Sequence, residues 1–297
     1  MATRMQTFVQ RLQDDICHAF EALDGGAAFQ EDFWSREGGG GGRTRVMAGG
    51  VVFEKAGVNT SAVHGILPER MAKVLDVPAT QFFATGISLV VHPRSPYVPT
   101  VHANFRYFAL GENLHAPIDQ WFGGGADLTP YYPYIEDAQH FHREWKKVCD
   151  AHPLASYAEF KARCDAYFYL RHRKETRGVG GIFFDYVRNE PEEAFNYVQD
   201  AGNTFLDAYL PIVNRRKDQP YGDREKQYHE TRRGRYVEFN LLFDRGTRFG
   251  IETDGRTESI LMSLPPAVQW HYDWQPEPGS PEEKAQWFFE PRDWLSL

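Results

Sequence analysis

Apolar residues recur along this chain with two different periods, and the periods divide it into elements. Between residues 84 and 108 (ATGISLVVHPRSPYVPTVHANFRYF) the period is two. Ile87, Leu89 and Val91 alternate with Ser88, Val90 and His92; beyond a proline-rich turn, Val101, Ala103, Phe105 and Tyr107 alternate with His102, Asn104, Arg106 and Phe108. Strand side chains point to opposite faces in turn, so the stretch predicts two strands joined by a stiff connection through Pro93, Pro96 and Pro99. Residues 6–23 keep the helical period instead, with Phe8, Val9, Leu12, Ile16 and Phe20 on one face and Gly25-Gly26 as the stop. Helices are also expected over 134–149, from Ser156 (a capping box with Glu159) to about His172, and over 191–217, kinked or broken near Pro211 and ending in a charged, solvated tail. Residues 233–253 alternate again and predict a hairpin turning at Asp244-Arg245-Gly246, followed by a turn at Asp254-Gly255-Arg256 and a short helix. A short aromatic helix in PEEKAQWFFEPRDW (281–294) is expected to pack on the body.

Strands and helices are not interleaved one by one, which argues against a doubly wound parallel sheet. The pattern fits an α+β fold, one domain over residues 1–297 with a broad antiparallel sheet and helices over it.

Composition narrows the function classes. A formal net charge of −8 argues against wholesale nucleic-acid binding. Cys17, Cys149 and Cys164 have no CxxC spacing, so buried free thiols are expected rather than a zinc site or disulfides. No apolar leader or membrane-length run stands out, so a cytoplasmic protein is expected. The glycine run at 38–42 leads into a strand-like segment and lacks a following Lys-Ser or Lys-Thr, so it makes a poor phosphate loop; a flexible cover over a pocket and a plain loop both fit.

The candidate chemistry sits on one strand face, where Ser88 and His92, then His102, Asn104 and Arg106, replace the Lys, Glu and Thr of an ordinary solvated sheet. Asp127, in the glycine-rich WFGGGADLTPYY (121–132), is either a turn residue or a carboxylate facing a pocket that those glycines open. His142 lies in an apolar helical stripe. Arg173 and Arg177, four apart in a basic cluster, either complement a helix dipole or point together at an anion. Arginines from separate elements, Arg256 among them, together with 15% aromatic residues, suit a flat apolar ligand with carboxylates at its rim. His92, His102, His142 and His172 could gather around a metal, yet none makes the HExxH spacing and no Cys or carboxylate stands at ligand spacing to them.

The stretches HPRSPYVPTVHANFRYF (92–108), WFGGGADLTPYY, RHRKETRGVGGIFFDY (171–186) and RGRYVEFNLLFDRGTRFGIETDGRTESILMSLPP (233–266) resemble those of the oxygen-dependent coproporphyrinogen-III oxidases, in order and over nearly the whole chain. The resemblance implies a large flat antiparallel sheet covered by helices on both faces, and a homodimer formed through about 236–271. It implies oxidative decarboxylation of two propionates of a porphyrinogen to vinyls in haem biosynthesis, with O2 as co-substrate and no flavin, haem or nicotinamide. Residue by residue it makes His102 the proton donor and places Asp127 at the pyrrole N–H groups. It makes Ser88, Asn104, Phe105, Arg106, Asp254, Gly255 and Arg256 substrate contacts, and puts Arg173 and Arg177 near the propionates. It gives His92, His102, His142 and His172 to a divalent metal. A non-catalytic tetrapyrrole carrier is the alternative class. A radical-SAM decarboxylase would need a CxxxCxxC cluster, which three scattered cysteines do not supply.

Overall fold

A computed structural model describes residues 1–78, 80–113, 116–252 and 255–297. In chain order its helices are α1 (Ala2–Asp24), α2 (Glu69–Leu75), α3 (Ile135–Asp150), α4 (Tyr157–Tyr167), α5 (Pro191–Arg216), α6 (Asp223–Leu242), α7 (Arg245–Glu252), α8 (Thr257–Leu261) and α9 (Pro281–Gln286). The strands are β1 (Gln30–Ser35), β2 (Gly40–Ala48), β3 (Phe53–Ile66), β4 (Gln81–Pro93), β5 (Thr100–Leu110), β6 (Asp119–Thr129), β7 (Tyr169–Leu170), β8 (Glu175–Thr176) and β9 (Gly180–Val187). Seven of them form one antiparallel sheet in the order β1-β2-β3-β4-β5-β6-β9.

One face of this sheet is the main core. Val58, Ile87, Leu89, Val91, Val101, Ala103, Phe105 and Ala126 are buried there against Phe8, Leu12, Ile16 and Phe20 of α1, Phe141 and Trp145 of α3, and Phe195 and Val198 of α5. Gly25, at φ 67, ends α1 in the left-handed region that glycine enters without strain. The Asp24 carboxylate accepts from the backbone N–H groups of Gly26, Ala27, Val51, Val52 and Phe53, which ties that helix end to β3. The opposite face carries α2 at one end and α6 and α8 at the other. The fold is thus the expected α+β sheet with helices on both faces. Trp294 is buried, its indole N–H bonded to the Val179 carbonyl at 2.9 Å, so the C-terminal aromatic segment does pack on the body.

Four local expectations change. Residues 233–242 lie in α6 and 245–252 form α7, so this stretch is not a hairpin. Val237, Phe239, Leu241 and Phe243 alternate as in a strand, but Leu241 is exposed, and Val237 and Phe239 share the buried side of α6 with Arg232, Arg233 and Asn240, so the apolar period misreports the element. The glycine run is no loose cover: a tight turn at 37–39 leads straight into β2, where Gly41 and Gly42 have no room for a Cβ against Trp34. α4 ends at Tyr167 rather than His172. α5 runs on through Pro211, and Arg216 in its predicted solvated tail is buried on Asp137, 2.6 Å away.

Candidate functional site

The second sheet face is built in rows, because antiparallel register sets alternate residues of neighbouring strands side by side. One row runs Asp32, Thr44, Asn59, Ser88, Asn104, Gly125 from β1 to β6. The next row on one side runs Ser61, Gly86, Arg106, Gly123, and the next on the other side Gly57, Val90, His102, Asp127. Beyond the arginine row, Phe82, Leu110 and Trp121 pack with Leu67 and Ala72, so α2 and its flanks close that end. At the other end Met262 lies over Gly57, where a Cβ would sit 1.7 Å from its sulfur. Between these walls the floor is polar and lined with glycine. From β3 to β6 it spans three strand spacings, about 14 Å.

His102 is the imidazole of the floor. Its side chain is 19% exposed, and Nδ1 lies 2.8 Å from Asp127 Oδ1, so Nε2 is the nitrogen left for chemistry. The carboxylate behind it is 2% exposed and is gripped by Arg177, whose Nη2 stands 2.9 and 2.7 Å from Oδ1 and Oδ2. Burial works to raise the Asp127 pKa, but Arg177 and His102 outweigh it and hold the carboxyl below its usual range. An ionised carboxylate at Nδ1 fixes the tautomer with the proton on Nδ1 and stabilises a proton gained at Nε2. Arg177 itself is 3% exposed. Its guanidinium carbon lies 4.1 Å from the Phe168 ring centroid, 4.4 Å from Tyr236 and 4.8 Å from Phe239, and Nη1 donates to Asn240 Oδ1 at 2.9 Å.

About four residues along β5 from His102, roughly 13 Å, Arg106 lies flat on the sheet. Nη1 donates to Asn104 Oδ1 at 2.9 Å and Nη2 pairs with Asp185 at 2.9 Å. Gly123 makes this possible: a Cβ there would stand 2.9 Å from Arg106 Nε and 2.7 Å from Asp185 Oδ1. The Arg106 side chain is 41% exposed and keeps donors for a carboxylate arriving from above. On the far side of the floor Arg256, at the start of α8, pairs with Asp32 of β1, while Ser259 bonds to Thr44 and its carbonyl accepts from Asn59.

The remaining candidates fall in several places. Ser88 is exposed on the floor beside Asn104. Phe105 is buried on the core face, so its side chain does not reach the floor. Asp127 is walled off by His102 and Arg177 and does not open onto the floor, and Arg177 is consumed in that pair. Arg173 does not point with Arg177: together with His172 it pairs with Glu238, at 2.7 Å in each case. Burial would raise the Glu238 pKa, but Arg173 and His172 pull it down to about 2. Gly255 donates its N–H to the Gly250 carbonyl at 2.8 Å, and Asp254 lies outside the described residues. Asn59, Ser61, Asp185 and Asn240 were missed. The alternation Asn59, Ser61 in β3 was readable; Asp185 and Asn240 come from distant elements with no local signal.

The four histidines do not fit a shared metal. His92 is buried with Nδ1 3.2 Å from Thr100 Oγ1 and Nε2 2.8 Å from the Ser263 carbonyl. His142 lies among α3, α4 and Val179, its nitrogens 2.9 Å from Tyr157 Oη and the Val179 carbonyl, and burial pushes its pKa to about 3. His172 faces Glu238. Among the described residues no group of three or more His, Cys, Asp or Glu side chains is placed to hold an ion. The three cysteines are free and buried, and no helix among the described residues is long and apolar enough to cross a membrane.

Comparison with known families agrees with the motifs. A family model described as coproporphyrinogen III oxidase matches residues 4–294. With almost the whole of its 297 residues covered, the chain belongs to the coproporphyrinogen III oxidase family.

Proposed function

We propose that this oxidoreductase uses O2 to decarboxylate two propionates of coproporphyrinogen III to vinyls, giving protoporphyrinogen IX. The observation that carries the reading is His102, partly exposed on a flat polar floor and backed by the buried Asp127–Arg177 pair. A disc-shaped macrocycle suits that floor, and guanidiniums toward opposite sides of it, Arg106 and Arg256, suit carboxylates at the rim of the disc.

A hydride equivalent leaves the propionate carbon attached to the pyrrole, the bond to the carboxylate breaks, and its electron pair becomes the vinyl double bond. Carbon dioxide leaves, and O2 with one proton takes the hydride as H2O2. A porphyrinogen pyrrole is electron-rich, and loss of its N–H proton raises that further, so oxygen reacts without a redox cofactor. His102 Nε2 takes that proton and returns it to the pyrrole nitrogen as the vinyl forms, the proton that completes H2O2 coming from water, while Asp127 stays ionised behind Nδ1. Arg106 orients the reacting carboxylate.

The test is gas exchange with the porphyrinogen in air and under argon. Oxygen uptake matched one to one by carbon dioxide release, and none under argon, supports the reading. Equal binding in both atmospheres with no carbon dioxide refutes it and leaves a carrier. We also propose that two copies pair through 236–271, where Leu241, Leu242, Ile251 and Leu261 are exposed. Sedimentation at the monomer mass, unchanged by concentration, would refute the pairing.

A further inference from the structure

On the reading above His102 works through Nε2, and we propose that Asn240 of α6 is the positioning residue that keeps it aimed, acting through Arg177 and Asp127. Asn240 is buried and its amide oxygen is spent on Arg177, so it acts through that cation. Its influence follows from how Arg177 is held. The guanidinium carbon stands 4.1, 4.4 and 4.8 Å from the ring centroids of Phe168, Tyr236 and Phe239, contacts that hold the cation without the directionality of a hydrogen bond. Its Nε is buried with no hydrogen-bond partner, so the hydrogen bonds that orient the guanidinium are those of its two terminal nitrogens. Nη2 is anchored on Asp127, and Nη1 on the Asn240 amide oxygen at 2.9 Å.

Asp127 Oδ1 is shared. It accepts from Arg177 Nη2 at 2.9 Å and from His102 Nδ1 at 2.8 Å. A guanidinium that swings about its remaining anchor drags that oxygen out of line with Nδ1–H, and the imidazole loses the bond that sets its tautomer. Phe168 also stands edge-on to the His102 ring at 6.0 Å, so the same box that holds the cation restrains the imidazole. The long contact path runs from α6, through the loop before β9, to β6 and β5.

The experiment uses the full-length protein with Asn240→Leu, which keeps the shape and removes the acceptor, and Asn240→Asp, which restores an acceptor oxygen. The expected result is a kcat lower by about tenfold or more with KM within about threefold for the leucine variant. In nitrogen-15 spectra the His102 signal loses its Nδ1–H form, and the aspartate variant recovers both. Should the leucine variant fail to fold, Asn240→Ala takes its place. A folded variant without the acceptor whose kcat and His102 spectrum match wild type overturns the proposal, as does an aspartate variant that recovers neither. The spectrum needs no turnover, so if the parent protein consumes no oxygen, the functional reading falls while this arm still decides the role of Asn240.

Discussion

Replacing Arg177 with Met removes one charge from the least accessible ion pair of the site. The pair is 3% and 2% exposed, and the substitution leaves Asp127 ionised, buried and short of its main partner. Breaking a buried pair from one side costs about 3–5 kcal/mol, and the aromatic box keeps the methionine packed, so little of that cost arises from lost volume. The pH dependence makes the prediction specific. In the parent, Asp127 titrates below its usual range, so its contribution to stability is present above the unfolded carboxyl pKa, about 3.9, and lost as pH falls through the lower folded value. In the variant burial dominates, and the folded state takes up a proton that the unfolded state does not, at the His102–Asp127 pair. Its deficit is then largest at neutral pH and shrinks toward pH 5. Urea unfolding at pH 7.5 and pH 5 checks this, and adding Asp127→Asn to the variant should recover most of the loss. A deficit under about 1 kcal/mol, or one that is the same at both pH values, would show that solvent already reaches the pair and would refute the reasoning.

His102→Gln should lower kcat by about 10²–10⁴-fold with the fold intact by circular dichroism; oxygen uptake measures it, and a loss under threefold removes His102 as the proton-transfer group. Gly123→Ala pushes a methyl into Arg106 and Asp185 and should raise KM for the porphyrinogen more than it lowers kcat, read from initial rates over a substrate series. Gly57→Ala collides with Met262 and should cost about 1–3 kcal/mol, partly recovered in the double variant with Met262→Ala, by thermal unfolding. Exhaustive chelation should leave activity unchanged, since His92 and His142 spend their ring nitrogens on other partners; loss restored by one added divalent ion would contradict that geometry.

The central strands were legible because one of their faces is wholly apolar: Val101, Ala103, Phe105 and Tyr107 alternate with the floor residues without a break. The N-cap at Ser156, whose hydroxyl accepts from the Glu159 N–H, was legible because capping is local. α6 was not, because burial of charged and amide groups is invisible to a hydrophobic period and depends on partners such as Glu54, which pairs with Arg233. Asp127 shows the same limit. The sequence offered a turn or a pocket carboxylate, and Arg177, fifty residues later, makes it neither.

Strand neighbours follow chain order from β1 through β6, and only β9 is fetched from beyond two intervening helices. Hairpin neighbours close short loops, whereas the final pairing must close a long one and comes late. Arg177 travels with that latecomer. The histidine and its carboxylate can therefore lie side by side in a nearly finished sheet while still lacking their cation, and competence is the last thing assembled. Pulse-labelling during refolding should find the amides of the β4–β5 and β5–β6 pairings protected before those of the β6–β9 pairing, with catalysis regained only on the slower phase.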